Sequence, residues 1–295
     1  MSPWIAVLLA LLCGFLESFV DVTRKESKRE FNMWSAAWGM RFYGVFLLLP
    51  LALVFHPHRL THDPQFWWSL LGSTLINSVT SVLYMRSLTR SDMSLVLPIT
   101  TLSPVFMIVT SPFITGEMPS ILGALGVVIS GLGVYLLGLD EKSKGPLEPF
   151  LLLWKNMEMR LMLVVALMWS ISAPIEKIGM LHGDWLWYAA LLNVGVVLIL
   201  TPFHFLYGEP RKSVTRDGLL YLGSTGYIAA IGLVCQYNAI SHILVAYAIG
   251  LKRTSVLWGV LWGKIFYNED KFRARFAAAL FILFGAVLIL LTKDS

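Results

Sequence analysis

The sequence predicts an all-α integral membrane protein of ten transmembrane helices, because of its composition and the spacing of its apolar residues. Of its 295 residues, 57% are hydrophobic and only 14% are charged, and the mean hydropathy is +0.70. A soluble domain usually carries about a quarter charged residues. The apolar residues also form separate blocks of about 20, the length that an α-helix needs to cross the hydrocarbon layer of a membrane.

Charged or Pro- and Gly-rich segments separate these blocks, and each block is predicted to form one helix. The longest connection, residues 140–159, is charged and contains Pro146 and Pro149, so we predict a linker there. It separates a first half, residues 1–139, from a second half, residues 160–295. The predicted helices span residues 3–20, 33–55, 66–88, 93–115, 119–139, 160–178, 185–207, 217–241, 243–267 and 272–292.

Each half contains five predicted helices, and this odd number has a consequence for the architecture. Two similar halves of five helices must cross the membrane in opposite directions, as in the inverted repeats of many secondary transporters. The halves do resemble each other: with an offset of 152 residues, segment 87–133 aligns without a gap with segment 239–285, and Glu117 coincides with Glu269. The sequence therefore predicts two inverted five-helix repeats.

The Lys and Arg residues are distributed unequally between the two sides of the membrane. Loops after helices 1, 3, 5, 7 and 9 contain 15 of the 23, including Arg24, whereas the side with both termini contains three. Cytoplasmic loops carry the excess of Lys and Arg in membrane proteins, so this count predicts both termini outside the cytoplasm. The net charge of +5 follows from these loops, and we predict no nucleic-acid partner.

Lys252 and Arg253 lie in the middle of the ninth predicted helix. A charge at the bilayer centre costs about 2.5 to 3.5 kcal/mol on insertion scales, so it usually faces a cavity or a partner. An ammonium group beside a planar guanidinium suits a carboxylate or a phosphate. The repeat offset places Thr100 and Thr101 opposite this pair, where hydroxyl groups would help to orient an anion. The alternatives are a buried ion pair with an acid such as Glu17 or Glu176, and ordinary packing of the threonines.

Glu17, in the first helix, is the candidate for proton coupling, because burial favours the protonated form of a carboxyl group. The alternative is that it only balances the charge of Arg41 or Lys252. Glu176 and Lys177, near the end of the sixth helix, are predicted to form a pair of charges at the membrane interface.

Five further side chains complete the set of substrate-binding candidates: Arg41, Asn77, Tyr84, Tyr227 and Trp258. Arg41 either faces a cavity or extends to the interface. Polar residues such as Asn77 and the tyrosines also hold membrane helices together. Trp258 lies deep in its helix, whereas most tryptophans lie near helix ends, where aromatic belts are expected. The sequence contains no metal-ligand spacing, nucleophile or nucleotide-binding motif, so we predict neither a metal, a cofactor nor an enzyme.

Segment 87–138 resembles the second part of an EamA repeat of the drug/metabolite transporter superfamily. Segment 247–270 is similar to the equivalent part of a second repeat. The segment WGMRF, residues 38–42, resembles the second helix of such repeats, which contains an Arg. The residues that carry the first of these resemblances are Pro98, Pro104, Gly116, Glu117, Gly123, Gly126, Gly131 and Gly133.

The resemblance implies a central cavity between the repeats, alternating access, and a small-molecule substrate such as an amino acid, a nucleotide sugar, a sugar phosphate or a cationic drug. Many bacterial members have both termini in the cytoplasm, which conflicts with the charge count. The Lys252 and Arg253 pair also resembles the phosphate-binding pair of plastid sugar-phosphate translocators. The segment around Glu17 is similar to the first helix of small multidrug resistance transporters, in which a glutamate exchanges protons for cations.

The sequence therefore predicts a secondary transporter of the bacterial inner membrane for a small polar metabolite, with an organic anion or zwitterion favoured by Lys252 and Arg253. Flexing is expected at Pro98, Pro104, Pro112 and Gly250. One alternative is proton-coupled efflux of cationic drugs through Glu17, and another is a lipid-carrier flippase component or a membrane enzyme. The expected partners are the substrate, the lipid bilayer, and either protons or a counter-metabolite, in a monomer or a homodimer.

Overall fold

The computed structural model describes residues 3–27, 30–57, 59–91, 96–137, 156–208 and 214–255, together with 257–258, 262, 281–282, 284–289 and 291. These residues are mostly helical and include no strand. A short 3-10 helix, Leu97–Thr101, leads directly into α4. The α-helices are α1 (Pro3–Ser27), α2 (Met33–Phe55), α3 (Pro64–Arg90), α4 (Leu102–Ile114), α5 (Ile121–Leu137), α6 (Met157–Leu181), α7 (Trp185–Tyr207), α8 (Arg216–Ile240) and α9 (Val245–Lys252).

The predicted all-helical membrane fold is confirmed. Among the described residues, five helices are long and apolar enough to cross a membrane: α1, α2, α6, α7 and α8. The helix α3 is less apolar because its buried face is rich in serine and threonine. The predicted linker lies outside the described residues up to residue 155, as do most of the second part of the ninth predicted helix and the first part of the tenth.

The first helix is longer than predicted. It was expected to end at residue 20, where the charged segment begins, but α1 continues to Ser27. The added turns stay helical because their charges are paired along the helix: Arg24 Nη1 lies 3.2 Å from Asp21 Oδ1 and 3.6 Å from Glu17 Oε1. Arg24 therefore belongs to a helix and not to a loop.

The pairing of helices across the two halves is symmetric. The helix α1 packs on α8, α3 packs on α6, and α2 packs on α7. The counterparts of α1, α2 and α3 in the second half are α6, α7 and α8. If the halves are exchanged, the α1–α8 pair therefore becomes the α6–α3 pair, and the α2–α7 pair stays the same. A twofold axis through the centre of the molecule produces this pattern, as expected for two repeats of one fold.

The two halves cross the membrane in opposite directions. Because α2 returns the chain to the side on which α1 began, α1 and α3 both end on the same side. The helix α6 begins beside the end of α3, where Ser87 Oγ donates a hydrogen bond of 3.1 Å to the carbonyl oxygen of Glu158. The helix α6 therefore starts on the side where α1, its counterpart, ends. We call this side the basic side, because the loops rich in Lys and Arg lie there, and the other side the terminal side.

Helix α5 approaches the tenth predicted helix closely. A Cβ atom on Gly126 would lie 2.7 Å from the carbonyl oxygen of Gly285. Only glycine allows the two backbones to come this close, as in the small-residue contacts typical of membrane helices.

Two helices break at equivalent positions of the two repeats. In the first repeat the 3-10 helix, with Pro98 in its first turn, precedes α4. In the second repeat α9 ends at Lys252, and tight turns follow, in which the N–H of Thr254 donates to the carbonyl of Leu251 over 3.0 Å. By the repeat offset Thr100 corresponds to Lys252. The predicted ninth helix is thus not continuous.

Candidate functional site

A cavity of about 190 Å³ lies between the two repeats. It is surrounded by the middle parts of the helices and extends toward the basic side, where Arg24 and Tyr84 line it. Among the described residues, the charged ones that line it are four cations and two carboxylates: Arg24, Arg41, Lys252, Arg253, Glu17 and Glu176. The cavity is therefore strongly polar and carries an excess of positive charge.

Glu17 lies between two cations. Lys252 Nζ is 3.3 Å from Glu17 Oε2, and Arg24 Nη1 is 3.6 Å from Glu17 Oε1. Lys252 also donates to Gln236 Oε1 over 2.9 Å. The structure thus pairs Lys252 with an acid, which is the alternative considered for this residue, and it pairs Glu17 with Lys252 and not with Arg41.

Arg24 connects this group to α3. Its Nη1 donates to the hydroxyl of Tyr84 over 3.1 Å, and its guanidinium lies 5.0 Å from the centre of the Tyr84 ring. Sequence reasoning placed Arg24 in a loop and missed it as a lining residue. A readable signal was present, because Glu17, Asp21 and Arg24 are spaced to share one face of a helix.

Arg253 spans the two helix breaks. Its Nη1 donates to Thr100 Oγ1 over 3.2 Å, and its Nη2 donates to the Thr100 carbonyl oxygen over 2.9 Å and to Ser103 Oγ over 2.8 Å. No carboxylate lies within 4.0 Å of it in the described part of the chain. The structure thus brings Arg253 and Thr100 together across the pseudo-twofold axis, and Thr101 is buried beside them.

Arg41 also has a neutral partner. Its Nη1 donates to Asn193 Oδ1 over 3.3 Å. Within the described residues it forms no ion pair, although it faces the cavity from α2. Asn193 was not among the predicted residues, because its role depends on a contact between helices that are far apart in the sequence.

Glu176 is a second cavity carboxylate, and its partners are all neutral. It is only 5% exposed, and its Oε1 accepts hydrogen bonds from Asn77 Nδ2 over 2.8 Å and from Ser172 Oγ over 2.7 Å. The predicted location at the membrane interface was wrong for Glu176, because α6 turns this side chain toward the centre of the protein. The spacing of four residues between Ser172 and Glu176 was a signal that both occupy one helix face.

Lys177, the next residue, is buried as well. Together with Glu117 and the first turn of α9 it forms a cluster that we call the terminal clamp. Lys177 Nζ forms an ion pair with Glu117 and donates to the carbonyl of Ile243 over 2.8 Å. Glu117 Oε2 accepts from the N–H of Val245 over 2.9 Å, at the positive end of α9. Lys177 therefore lies among helix ends, as predicted, but it is buried and pairs with Glu117 and not with Glu176. The clamp connects the two repeats on the terminal side.

Two predicted side chains lie away from the cavity. Tyr227 is 41% exposed, and its ring centre is 6.1 Å from that of Tyr43. Trp258 is 38% exposed and packs edge-on against Phe15 at 4.9 Å. Neither lines the cavity, whereas Asn77 and Tyr84 do. In the part of the chain that the structure describes, no group of three or more His, Cys, Asp or Glu side chains is arranged to hold a metal ion.

Comparison with known proteins agrees with this architecture. The model of the EamA-like transporter family matches residues 4–139 and again residues 156–291. A crystal structure with 15% sequence identity superposes with a TM-score of 0.76 over 97% of both chains, a level of identity at which the likeness shows the fold alone. No curated protein has significant sequence similarity to the chain.

Proposed function

The chain belongs to the EamA-like transporter family, whose model matches both of its halves, and we propose that it carries a small organic anion or zwitterion by alternating access. The observation that supports this substrate class is that Arg41 and Arg253 point into the cavity region with only neutral partners in the described part of the chain. A buried charge without a counter-charge is costly. An anionic ligand would supply that counter-charge.

The charges of the cavity are unevenly compensated. Lys252 and Arg24 share the carboxylate of Glu17. Two guanidinium groups, Arg41 and Arg253, then remain for ligand binding, and a guanidinium offers a planar pair of donors that fits a carboxylate or a phosphate. Arg253 is also held at the two helix breaks, and substrate sites in secondary transporters commonly lie where helices are discontinuous near the midplane.

The terminal clamp supports alternating access. It fastens α6 and the start of α9 to Glu117 of the first repeat, while the cavity extends toward the opposite, basic side. We place the protein in the bacterial inner membrane with its basic loops in the cytoplasm. In that orientation the cavity extends toward the cytoplasm, and transport requires the clamp to open on the outside.

Proton-coupled efflux of cationic drugs through Glu17 has weaker support. Glu17 already has Lys252 and Arg24 as partners. A cationic drug would have to displace both of them while entering a cavity with excess positive charge. No contact of the described residues favours a flippase component or an enzyme over a transporter.

Flux measurements on the purified, reconstituted full-length chain test the proposal. We expect proteoliposomes to take up radiolabelled L-glutamate or glucose 6-phosphate but not tetraphenylphosphonium. Arg41→Gln and Arg253→Gln should each lower uptake at least tenfold, because each removes a guanidinium that faces the ligand. Arg160→Gln is the matched control, since Arg160 is exposed on α6 outside the cavity. Uptake of the cation alone, or anion uptake that is unaffected in both cavity variants, would contradict the proposed substrate class.

A further inference from the structure

Glu17 and Glu176, the two cavity carboxylates, have opposite surroundings. Glu17 has a cation on each side, at 3.3 Å and 3.6 Å. Glu176 accepts hydrogen bonds from an amide and a hydroxyl, and within the described residues no Lys, Arg or His nitrogen lies within 4.0 Å of it. A carboxylate held between cations stays ionised, whereas one among neutral dipoles in a buried site can bind and release a proton.

From this contrast we propose that Glu176 is the group that binds the coupling proton during transport, which rests on the proposed transport function. Both protonation states of Glu176 can be satisfied at this site. The ionised carboxylate accepts from Asn77 and Ser172, as the structure has it. The protonated carboxyl group can instead donate to Ser172, because a hydroxyl group rotates and serves as donor or acceptor. The carboxyl group therefore has a hydrogen-bond partner in both protonation states, which lowers the cost of moving the proton.

The groups that face Glu176 from the neighbouring helices fit this role. Arg41 of α2 lines the same cavity, and within the described residues it forms no ion pair with Glu176. Tyr237 of α8 lines the same cavity, Tyr188 of α7 donates its hydroxyl to Ser73 one helical turn from Asn77, and a tyrosine hydroxyl is neutral near pH 7. On its own helix, Lys177 is held by Glu117. Arg41 is therefore a cation of the described cavity lining that has no carboxylate partner and can respond to the charge of Glu176.

This arrangement couples the substrate to the proton. An anion bound at Arg41 adds negative charge to the cavity that Glu176 also lines, so anion binding favours protonation of the carboxyl group. Coupling between two sites is reciprocal, so protonation of Glu176 tightens anion binding by the same factor. The anion and the proton then occupy the cavity together, and a pH gradient drives accumulation of the anion.

Infrared spectroscopy tests the proton site without a known substrate. We expect the lipid-reconstituted full-length chain to show a carboxylic acid C=O band that persists above the pH at which exposed carboxyl groups ionise and disappears as the pH is raised further. The band should be absent in Glu176→Gln, retained in Glu17→Gln, and shifted but present in Glu176→Asp. A titrating band that persists in Glu176→Gln, or one that disappears in Glu17→Gln, would overturn the assignment. Because this measurement needs no flux, it remains decisive even if the proposed transport of anions fails.

Transport separates proton coupling from a binding role for the same carboxylate. An imposed pH gradient should drive accumulation of L-glutamate or glucose 6-phosphate in wild-type proteoliposomes. We compare this pH-driven accumulation with counterflow, the exchange of labelled for unlabelled anion without a pH gradient. For either anion, Glu176→Gln should lower the ratio of accumulation to counterflow at least tenfold, and Glu176→Asp should restore the ratio. Loss of glutamate uptake alone, with pH-driven uptake of the sugar phosphate intact, would mean that Glu176 binds the substrate's ammonium group, and the proposal would be wrong.

Discussion

Glu176 and Lys177 are consecutive residues of α6, yet one lines the central cavity and the other forms an ion pair with Glu117 at the terminal side. The two side chains leave the helix about 100° apart, because an α-helix has 3.6 residues per turn. A small rotation or tilt of α6 therefore moves the cavity carboxylate and the clamp together. The helix supplies a direct mechanical connection between the state of the cavity and the closure of the terminal side.

The terminal clamp is expected to contribute strongly to stability. Lys177→Met leaves the carboxylate of Glu117, which is 12% exposed, without its ammonium partner, and loss of one member of a buried pair costs about 3 to 5 kcal/mol. The double variant Glu117→Gln/Lys177→Met should lose much less, because no uncompensated charge remains. Unfolding of the purified protein in detergent measures both values. Equal losses in the single and double variants would show that the ion pair itself contributes little.

The clamp also makes a prediction about access. In the double variant the cavity should open more often to the terminal side, so a cysteine introduced at Asn77 should react faster with a membrane-impermeant thiol reagent added from that side. The comparison is with Asn77→Cys in the otherwise unchanged chain. An unaltered rate would mean that other contacts keep the terminal side closed.

The bonds of Arg253 predict a graded loss of anion uptake. Ser103→Ala removes one hydrogen bond to the guanidinium, a net loss of about 1 kcal/mol, which corresponds to about a fivefold weaker affinity. Arg253→Lys keeps the charge but cannot make three bonds in the same directions, so its loss should be larger. The apparent affinity for L-glutamate or glucose 6-phosphate in proteoliposomes provides the measurement. If Arg253→Lys transports like the wild type, charge alone matters at this position.

The contact between Arg253 and Thr100 could be anticipated from the sequence, because the repeat offset of 152 residues places the two helices opposite each other. The neutral surroundings of Glu176 could not. They depend on Asn77, 99 positions away on a helix of the other half, and neither hydropathy nor spacing indicates which faces of two distant helices meet. The sequence pattern thus predicted the helices and their repeat, but not the partners that distinguish two similar carboxyl groups.

The helix boundaries also depend on contacts that the sequence pattern does not reveal. The helix α7 begins and ends at the predicted residues. Its start is well defined because Asp184 caps it, accepting hydrogen bonds from the N–H groups of Leu186 and Trp187. The helix α1 is longer than predicted because a hydropathy average treats every charged residue as evidence for a loop. The pairing of Arg24 with Glu17 along the helix has no counterpart in a hydropathy average.

Close packing of the repeats predicts a sharp difference between two glycines. Gly126→Ala places a methyl group 2.7 Å from the carbonyl oxygen of Gly285, and overpacking of this kind costs about 1 to 3 kcal/mol. Gly72→Ala is the matched control, since no atom lies within 4 Å of a Cβ atom there. It should be neutral or stabilising by about 0.5 to 1 kcal/mol, because alanine favours the helix. Thermal unfolding of both variants provides the comparison.

The orientation of the chain in the membrane decides which way the clamp faces, and it can be measured directly. Arg59 lies on the terminal side and Arg90 on the basic side, and both are exposed. The native cysteines, Cys13 and Cys235, are buried, so single reporter cysteines can be introduced after both are replaced by alanine. Because Lys and Arg accumulate in cytoplasmic loops, Arg59→Cys should react in intact spheroplasts with an impermeant maleimide.

The Arg90→Cys reporter should react only after the membrane is permeabilised. The reverse pattern would place the termini in the cytoplasm and would mean that the clamp formed by Lys177 and Glu117 closes the cytoplasmic side. The cavity would then extend toward the outside, and a proton bound by Glu176 in this state would come from the external solution. The labelling result therefore fixes which face supplies the proton and the substrate to the state described by the structure.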